Sequence, residues 1–169
     1  MKKRLLLLIP MVFSLMGCQK DCVIEESTFF LVMTNIQYFP EEYLNKEITL
    51  DCFTYNIKDI HDQEYLCGVR KCTAGYGCKC GKDTVIGFIL NYDGVIPEPK
   101  NQYDDTNDKS WIHLVGKLDS EKMKDIEIYS YDKDGNITTQ TETVSFLTFN
   151  VSSLETIDDY SNLAYFVSK

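Results

Sequence analysis

Four of the chain's seven cysteines fall within CGVRKCTAGYGCKCGKD, residues 67–83. Cys67, Cys72, Cys78 and Cys80 admit three chemistries. As thiolates, four soft ligands from one segment suit tetrahedral zinc. The intervening gaps of four, five and one residues differ from the usual zinc-finger spacing. Lys71, Lys79 and Lys82 would offset part of the thiolate charge. As disulfides, the same cysteines would fasten a segment too rich in glycine to hold itself with a core. Gly68, Gly75, Gly77 and Gly81 permit the tight turns that either cross-link needs. As reactive thiols they need nearby positive charge. Arg70 and Lys71 flank Cys72, but no Cys-x-x-Cys pair is present. The cofactor expectation is therefore zinc or none.

Which chemistry applies depends on the compartment, and the N-terminus speaks to that. Lys2, Lys3 and Arg4 precede an apolar run, Leu5 to Leu15, broken once by Pro10. The run is short of the roughly 20 residues that a membrane-spanning helix needs and has the proportions of an export signal. Leu15-Met16-Gly17-Cys18 resembles the bacterial lipobox. That resemblance implies a signal peptide over 1–17, acylation of Cys18, attachment to membrane lipid and a position on the extracytoplasmic face of the cell membrane. More than one acyl chain makes such anchoring stable.

With Cys18 acylated, six cysteines remain, an even number in an exported domain, which favours disulfides. Six allow fifteen pairings and the sequence does not choose among them. A Cys78–Cys80 bond is disfavoured, since two extended residues separate Cα atoms by about 6.5 Å and close a small strained ring. Cys22 and Cys52 are expected to be structural, Cys52 on the inward face of its strand.

The formal charge of −9 becomes −12 once Lys2, Lys3 and Arg4 are left out. So acidic a surface repels nucleic acid, and no nucleic-acid partner is expected. Residues 18–169 suffice for one domain.

The elements that must position the cysteines read mostly as strands. Residues 18–27 are expected to form a tether and 28–169 a single domain with a cysteine-rich insertion at 67–83. Thr28 to Phe39, rich in aromatic and β-branched residues and closed by Pro40, suggests a buried strand, although periodicity alone leaves a helix open. In NKEITLDCFTY, Ile48, Leu50 and Cys52 alternate with Thr49 and Asp51, the period of a sheet with one wet face. VIGFILNY and WIHLVGKL (85–92, 111–118) are further strands, with a polar loop over 97–110. Ser120–Lys124 suggests a helical turn with Ser120 as N-cap. Residues 125–131 and 137–143 flank Asp132-Lys133-Asp134-Gly135-Asn136, a hairpin turn. Residues 144–151 form another strand, 153–161 a short helix or turn, and 163–167 a last strand. The fold class expected is mainly β: a small antiparallel OB-like barrel with a cysteine-rich loop and little helix.

Residues 45–166 resemble the YcgQ-type family of bacterial extracytoplasmic domains. The resemblance rests on Asn45-Lys46 leading to Cys52-Phe53, on Arg70, Cys72, Asp83 and Gly87, on the Trp111-to-Gly116 strand, and on the aromatic ending near Phe166. It implies an OB-like barrel, structural roles for Trp111 and Gly116, a membrane permease as partner and a link to metal homeostasis. The family's adjacent cysteine pair is replaced by Cys72 and Cys78-Lys79-Cys80, and its membrane segments are absent.

Other motifs point to little chemistry. DDTND (104–108) has alternate carboxylates, but Lys109 and Val115 occupy the positions where a calcium loop needs glycine and glutamate. His61 sits in a polar stretch, and His113 shares a strand face with Trp111. No GxSxG, HExxH or phosphate-binding loop occurs. The expectation is an extracytoplasmic binding or accessory module beside a transporter, holding a metal, more an adaptor than an enzyme. A disulfide-stabilised interaction lipoprotein and a thiol oxidoreductase are the alternatives.

Overall fold

The computed structural model describes residues 21–73, 83–131 and 137–167. The expectations for the signal segment, Cys18, Cys78, Cys80 and the 132–136 turn lie outside the described residues. The strands are β1 (Cys22–Ile24), β2 (Ile48–Lys58), β3 (Glu64–Thr73), β4 (Asp83–Asn91), β5 (Trp111–Leu118), β6 (Lys124–Tyr131), β7 (Ile137–Thr156) and β8 (Phe166–Val167); one α-helix, α1, spans Phe29–Tyr38. The protein is mainly β, with little helix, as expected.

Five strands close a ring in the order β2-β5-β7-β4-β3, with β3 pairing back to β2. The sheet is mixed rather than wholly antiparallel, because β1–β2, β4–β7 and β3–β8 run parallel. The expected alternation on β2 holds: Ile48, Leu50 and Cys52 are buried while Thr49 and Asp51 are partly exposed. They meet Gly116, Leu114 and Ile112 of β5 across the ladder. With Phe88, Leu147 and Phe149 they fill the ring's interior. The Phe88 and Phe149 rings stack at 5.0 Å.

The expected strand at 28–39 is instead α1. Phe29, Met33 and Ile36 lie on one helical face, at i, i+4 and i+7, and that face is buried in the interior cluster. The aromatic and β-branched content that suggested a strand reflects a helix apolar on more than its buried side. Phe39 ends it: its N–H still bonds to Asn35 O at 2.9 Å, but it precedes Pro40, and the residue before proline is disfavoured in helical geometry. The lead-in is not wholly a tether either. Cys22–Ile24 pairs in parallel with Ile48–Leu50, and Cys22 N–H donates to Glu47 O at 2.7 Å.

Further along, the structure revises four details. Cys67 and Cys72 lie within β3, so the insertion starts later than 67. Ser120 accepts a bond from Lys122 N–H at 3.3 Å without a helical turn, and β6 starts at Lys124. The 137–143 and 144–151 segments are one strand, which runs to Thr156 where a helix or turn was expected. Only Phe166–Val167 of the expected last strand pairs. The first half of β7 forms a two-stranded ribbon with β6; its second half joins the ring.

Gly116 has a structural role. The β5–β7 register slips between Val115 and Gly116, and a Cβ at Gly116 would lie 2.3 Å from Asn150 O. Only glycine allows the two strands to approach this closely.

Candidate functional site

A second apolar cluster lies outside the ring, over one end of β2, β3 and β5. It contains Phe53, Cys67, Val69 and Trp111, with Tyr160, Leu163 and Tyr165 packed against it. Phe53 meets Trp111 edge-on at 5.6 Å, and Tyr160 stacks on Trp111 at 6.2 Å. This outer cover explains why Cys52, Phe53 and Thr54 are buried in succession, although β2 alternates before them.

The expected cysteine site divides between the two clusters. Cys67 and Cys72 are five residues apart on β3, so their side chains leave opposite faces. Cys67 belongs to the outer cluster and Cys72 to the interior. Bringing both to one ion would break the strand between them. Cys52, in the interior, pairs with neither Cys22 nor Cys67, and those three thiols are free. Burial pushes Cys67 up to about 12 and raises Cys52 and Cys22 as well, against the pull of Arg70 on Cys52 and of Lys46 on Cys22. A raised thiol is a poor nucleophile and a poor ligand at neutral pH. Among the described residues, no three His, Cys, Asp or Glu side chains converge as a metal set.

Arg70 sits where those elements meet, and its side chain is 1 % exposed. Nε and Nη2 donate to Asp51 O at 3.0 and 2.9 Å. Nη1 donates to Glu26 Oε2 at 2.7 Å and to Ala164 O at 2.6 Å. Glu26 Oε1 accepts from Ala164 N–H at 3.1 Å. The guanidinium lies 4.8 Å from the Phe29 ring centre and 4.7 Å from that of Trp111. One planar cation thus ties β2, the N-terminal lead-in and the C-terminal segment together, using the fixed fork that only arginine presents.

The 97–110 loop is ordered by lysines. Lys109 is buried between the Phe53 and Tyr165 rings and donates to Asn101 O and, at 2.5 Å, to Asp104 O. Lys71 Nζ donates to Tyr103 O at 3.1 Å and to Asp105 Oδ1 at 2.8 Å, and Lys100 pairs with Asp108 at 2.6 Å. The loop that resembled a calcium site therefore places ammonium groups against its carbonyls. Burial lowers the Lys109 pKa, and the nearby Lys71 charge adds to this. Asn107 fastens the loop to the C-terminal segment, giving Nδ2–H to Leu163 O and accepting Tyr165 N–H, both at 2.8 Å. Trp111 Nε1–H donates to Asn107 O at 2.8 Å. Two open clefts flank the loop. The larger, of about 420 Å³, is lined by Asn56, Glu98, Gln102, Tyr103 and Asp104 among others. The smaller, of about 250 Å³, lies against Trp111, Thr156 and Tyr160. Both clefts are open to solvent.

The family model for the DUF1980 C-terminal domain matches residues 11–141. The chain belongs to this family. The match starts earlier than the expected 45–166 resemblance, taking in α1, and stops within the β6–β7 ribbon. No curated protein and no solved structure matches the chain.

Sequence reasoning missed one outward pair. Asp51 and His113 face each other across β2 and β5, with Nδ1 2.6 Å from Asp51 Oδ1. Cross-strand register alone puts them together. An imidazole oriented by a carboxylate is part of a nucleophile-activating set, yet among the described residues no serine or cysteine is hydrogen-bonded to His113. His61 lies in an exposed turn, its N–H bonded to Asp59 Oδ1 at 2.8 Å.

Proposed function

We propose that this chain is a lipid-anchored, extracytoplasmic accessory module that works beside a membrane permease. The observation that carries the proposal is the pairing of a lipobox-like Cys18 with a family domain matched from residue 11 onward. The architecture supports it. Buried arginine and lysine clamps hold a small domain whose clefts are open, which suits surface contact. The buried, proton-retaining thiols of Cys52 and Cys67 weigh against the oxidoreductase alternative.

In this proposal the cysteines fasten rather than react. Cys67 serves the outer core and Cys72 the interior, and Cys78 and Cys80 are the cysteines left to cross-link the segment between β3 and β4. Intact mass tests both parts. Acyl chains at Cys18 add their mass under all conditions, a disulfide removes a pair of hydrogens, and zinc adds mass only under native conditions. Cross-linking in membranes followed by recovery of the anchored protein should bring down a permease. A protein without acyl mass, or one that repeatedly recovers no transporter, overturns the proposal.

A further inference from the structure

Nine large apolar side chains stand exposed among the described residues, and four of them fall between Cys22 and Phe39: Val23, Leu31, Tyr38 and Phe39, at 64 %, 63 %, 70 % and 51 %. Leu31 and Tyr38 are seven residues apart, so they share the solvent face of α1, opposite Phe29, Met33 and Ile36, with Thr34 and the exposed Asn35 beside them. Phe39 follows at the helix end, and Val23 lies on β1, the strand that α1 packs against. Interior packing does not account for this face. Exposed apolar surface of this kind marks contact with a membrane or a partner.

Chain length favours the membrane. Cys22, the first residue of β1, comes four positions after Cys18. Fully extended, that stretch spans about 14 Å. Because β1 is hydrogen-bonded into the ring, that short link holds the whole domain against the surface in which Cys18 is anchored. α1 follows β1 after only four residues.

We infer that the outer face of α1, with Leu31, Tyr38 and Phe39, lies in the headgroup region of the bilayer and fixes the orientation of the domain on it. This rests on the lipid anchor proposed above. Tyrosine and phenylalanine suit the interface, with an apolar body and, in Tyr38, a polar tip that stays wet. The surrounding charge selects the lipid. Asp21 and Glu25 precede α1 and Glu41, Glu42 and Glu47 follow it, all exposed; Glu26 is neutralised by Arg70, and Lys46 offsets one of the remaining charges. The surface recognised is therefore zwitterionic, and anionic headgroups should weaken the contact.

Trp111, the chain's single tryptophan, is 2 % exposed, so a new tryptophan reports on its own site. The full chain carrying Phe39→Trp is made in cells, its Cys18 acylation is confirmed by intact mass, and it is placed in phosphatidylcholine vesicles. The added emission should be blue-shifted, quenched by acyl-brominated phosphatidylcholine and shielded from acrylamide. Added phosphatidylglycerol should reverse part of each effect. Ile137→Trp, on the exposed ribbon, should stay open to acrylamide. Tyr38→Trp repeats the measurement should Phe39→Trp disturb folding. If acyl mass is present but the indoles introduced by Phe39→Trp and Tyr38→Trp stay open to acrylamide and unquenched by bromolipid, the docking inference is wrong and the anchor stands. Shielding without bromolipid quenching means self-association and also overturns it. Absence of acyl mass removes the anchor and this inference with it.

Discussion

Removing the Arg70 guanidinium should be among the most damaging single changes outside the apolar core. Arg70→Met keeps a long side chain between the Phe29 and Trp111 rings but deletes four donated hydrogen bonds. Asp51 O and Ala164 O lose charged donors, and Glu26 loses its counter-ion. Breaking a buried ion pair from one side costs about 3–5 kcal/mol. Glu26 is 36 % exposed and rehydrates in part, so the lower end applies, about 3 kcal/mol. That is a large share of the roughly 5–15 kcal/mol that stabilises a domain. At about 3 °C per kcal/mol for a chain of this size, Tm should fall by about 10 °C. Arg70→Lys keeps the charge but cannot reach all three acceptor groups, and should recover only part of the loss. Urea unfolding of wild type, Arg70→Met, Glu26→Gln and the double variant gives the coupling between the pair. A Met variant within about 0.5 kcal/mol of wild type, the range of an ordinary surface substitution, would refute the reasoning that this cation ties three segments together.

Gly116→Ala should destabilise by about 1–3 kcal/mol in the same assay, because its Cβ would meet backbone that cannot move aside. Gly87→Ala should be worse, its Cβ falling 2.0 Å from Gly68 O; a soluble, normally melting variant would contradict the ladder geometry. Iodoacetamide at pH 8 should leave Cys52 and Cys67 unmodified until urea unfolds the protein, as mass mapping of the alkylated peptides would show. Acid should loosen the 97–110 loop before the ring. Asp105 and Asp108 titrate below the usual carboxylate value, held down chiefly by hydrogen bonds from Lys71 and Lys100. Their contribution is complete above about pH 4 and is lost as pH falls through the lowered folded values. Hydrogen exchange at pH 7 and pH 3, corrected for intrinsic rates, should show protection falling first at 101–109.

The ring was legible where one face is wet and one dry. Residues 48–52 announce themselves by period two, 85–92 and 111–118 as short apolar runs, and 125–143 by two strands around a polar turn. The helix was less legible because its exposed side is also apolar: Leu31, Tyr38 and Phe39 mask the i, i+4, i+7 spacing of Phe29, Met33 and Ile36. The same residues that defeat the periodicity argument are those in the proposed membrane contact. The 20-residue β7 was read as two pieces because its halves have different surroundings, ribbon and ring, and therefore different patterns.

The site was less legible than the fold, for a reason visible in β3. Spacing along the chain suggested that Cys67 and Cys72 could share a metal. Strand parity sends them to opposite faces, and that parity becomes visible only once β3 is known to run unbroken from Glu64 to Thr73. Conversely, Lys71 was read as a counter-charge to thiolates and Lys109 as a misfit in a calcium loop, yet the two, far apart in sequence, supply ammonium groups that hold an acidic loop in place. Several strong polar interactions around this pole join segments remote in the chain: Arg70 to Glu26 and Ala164, Asn107 to Leu163 and Tyr165, Lys71 to Asp105. These contacts fix the C-terminal segment and the loop over the outer core without any cross-link among the described residues. The cysteine-rich segment leaves β3 from this fastened end, two residues beyond Lys71. Because none of these contacts depends on a disulfide, the ring should keep its fold and its Tm in reductant.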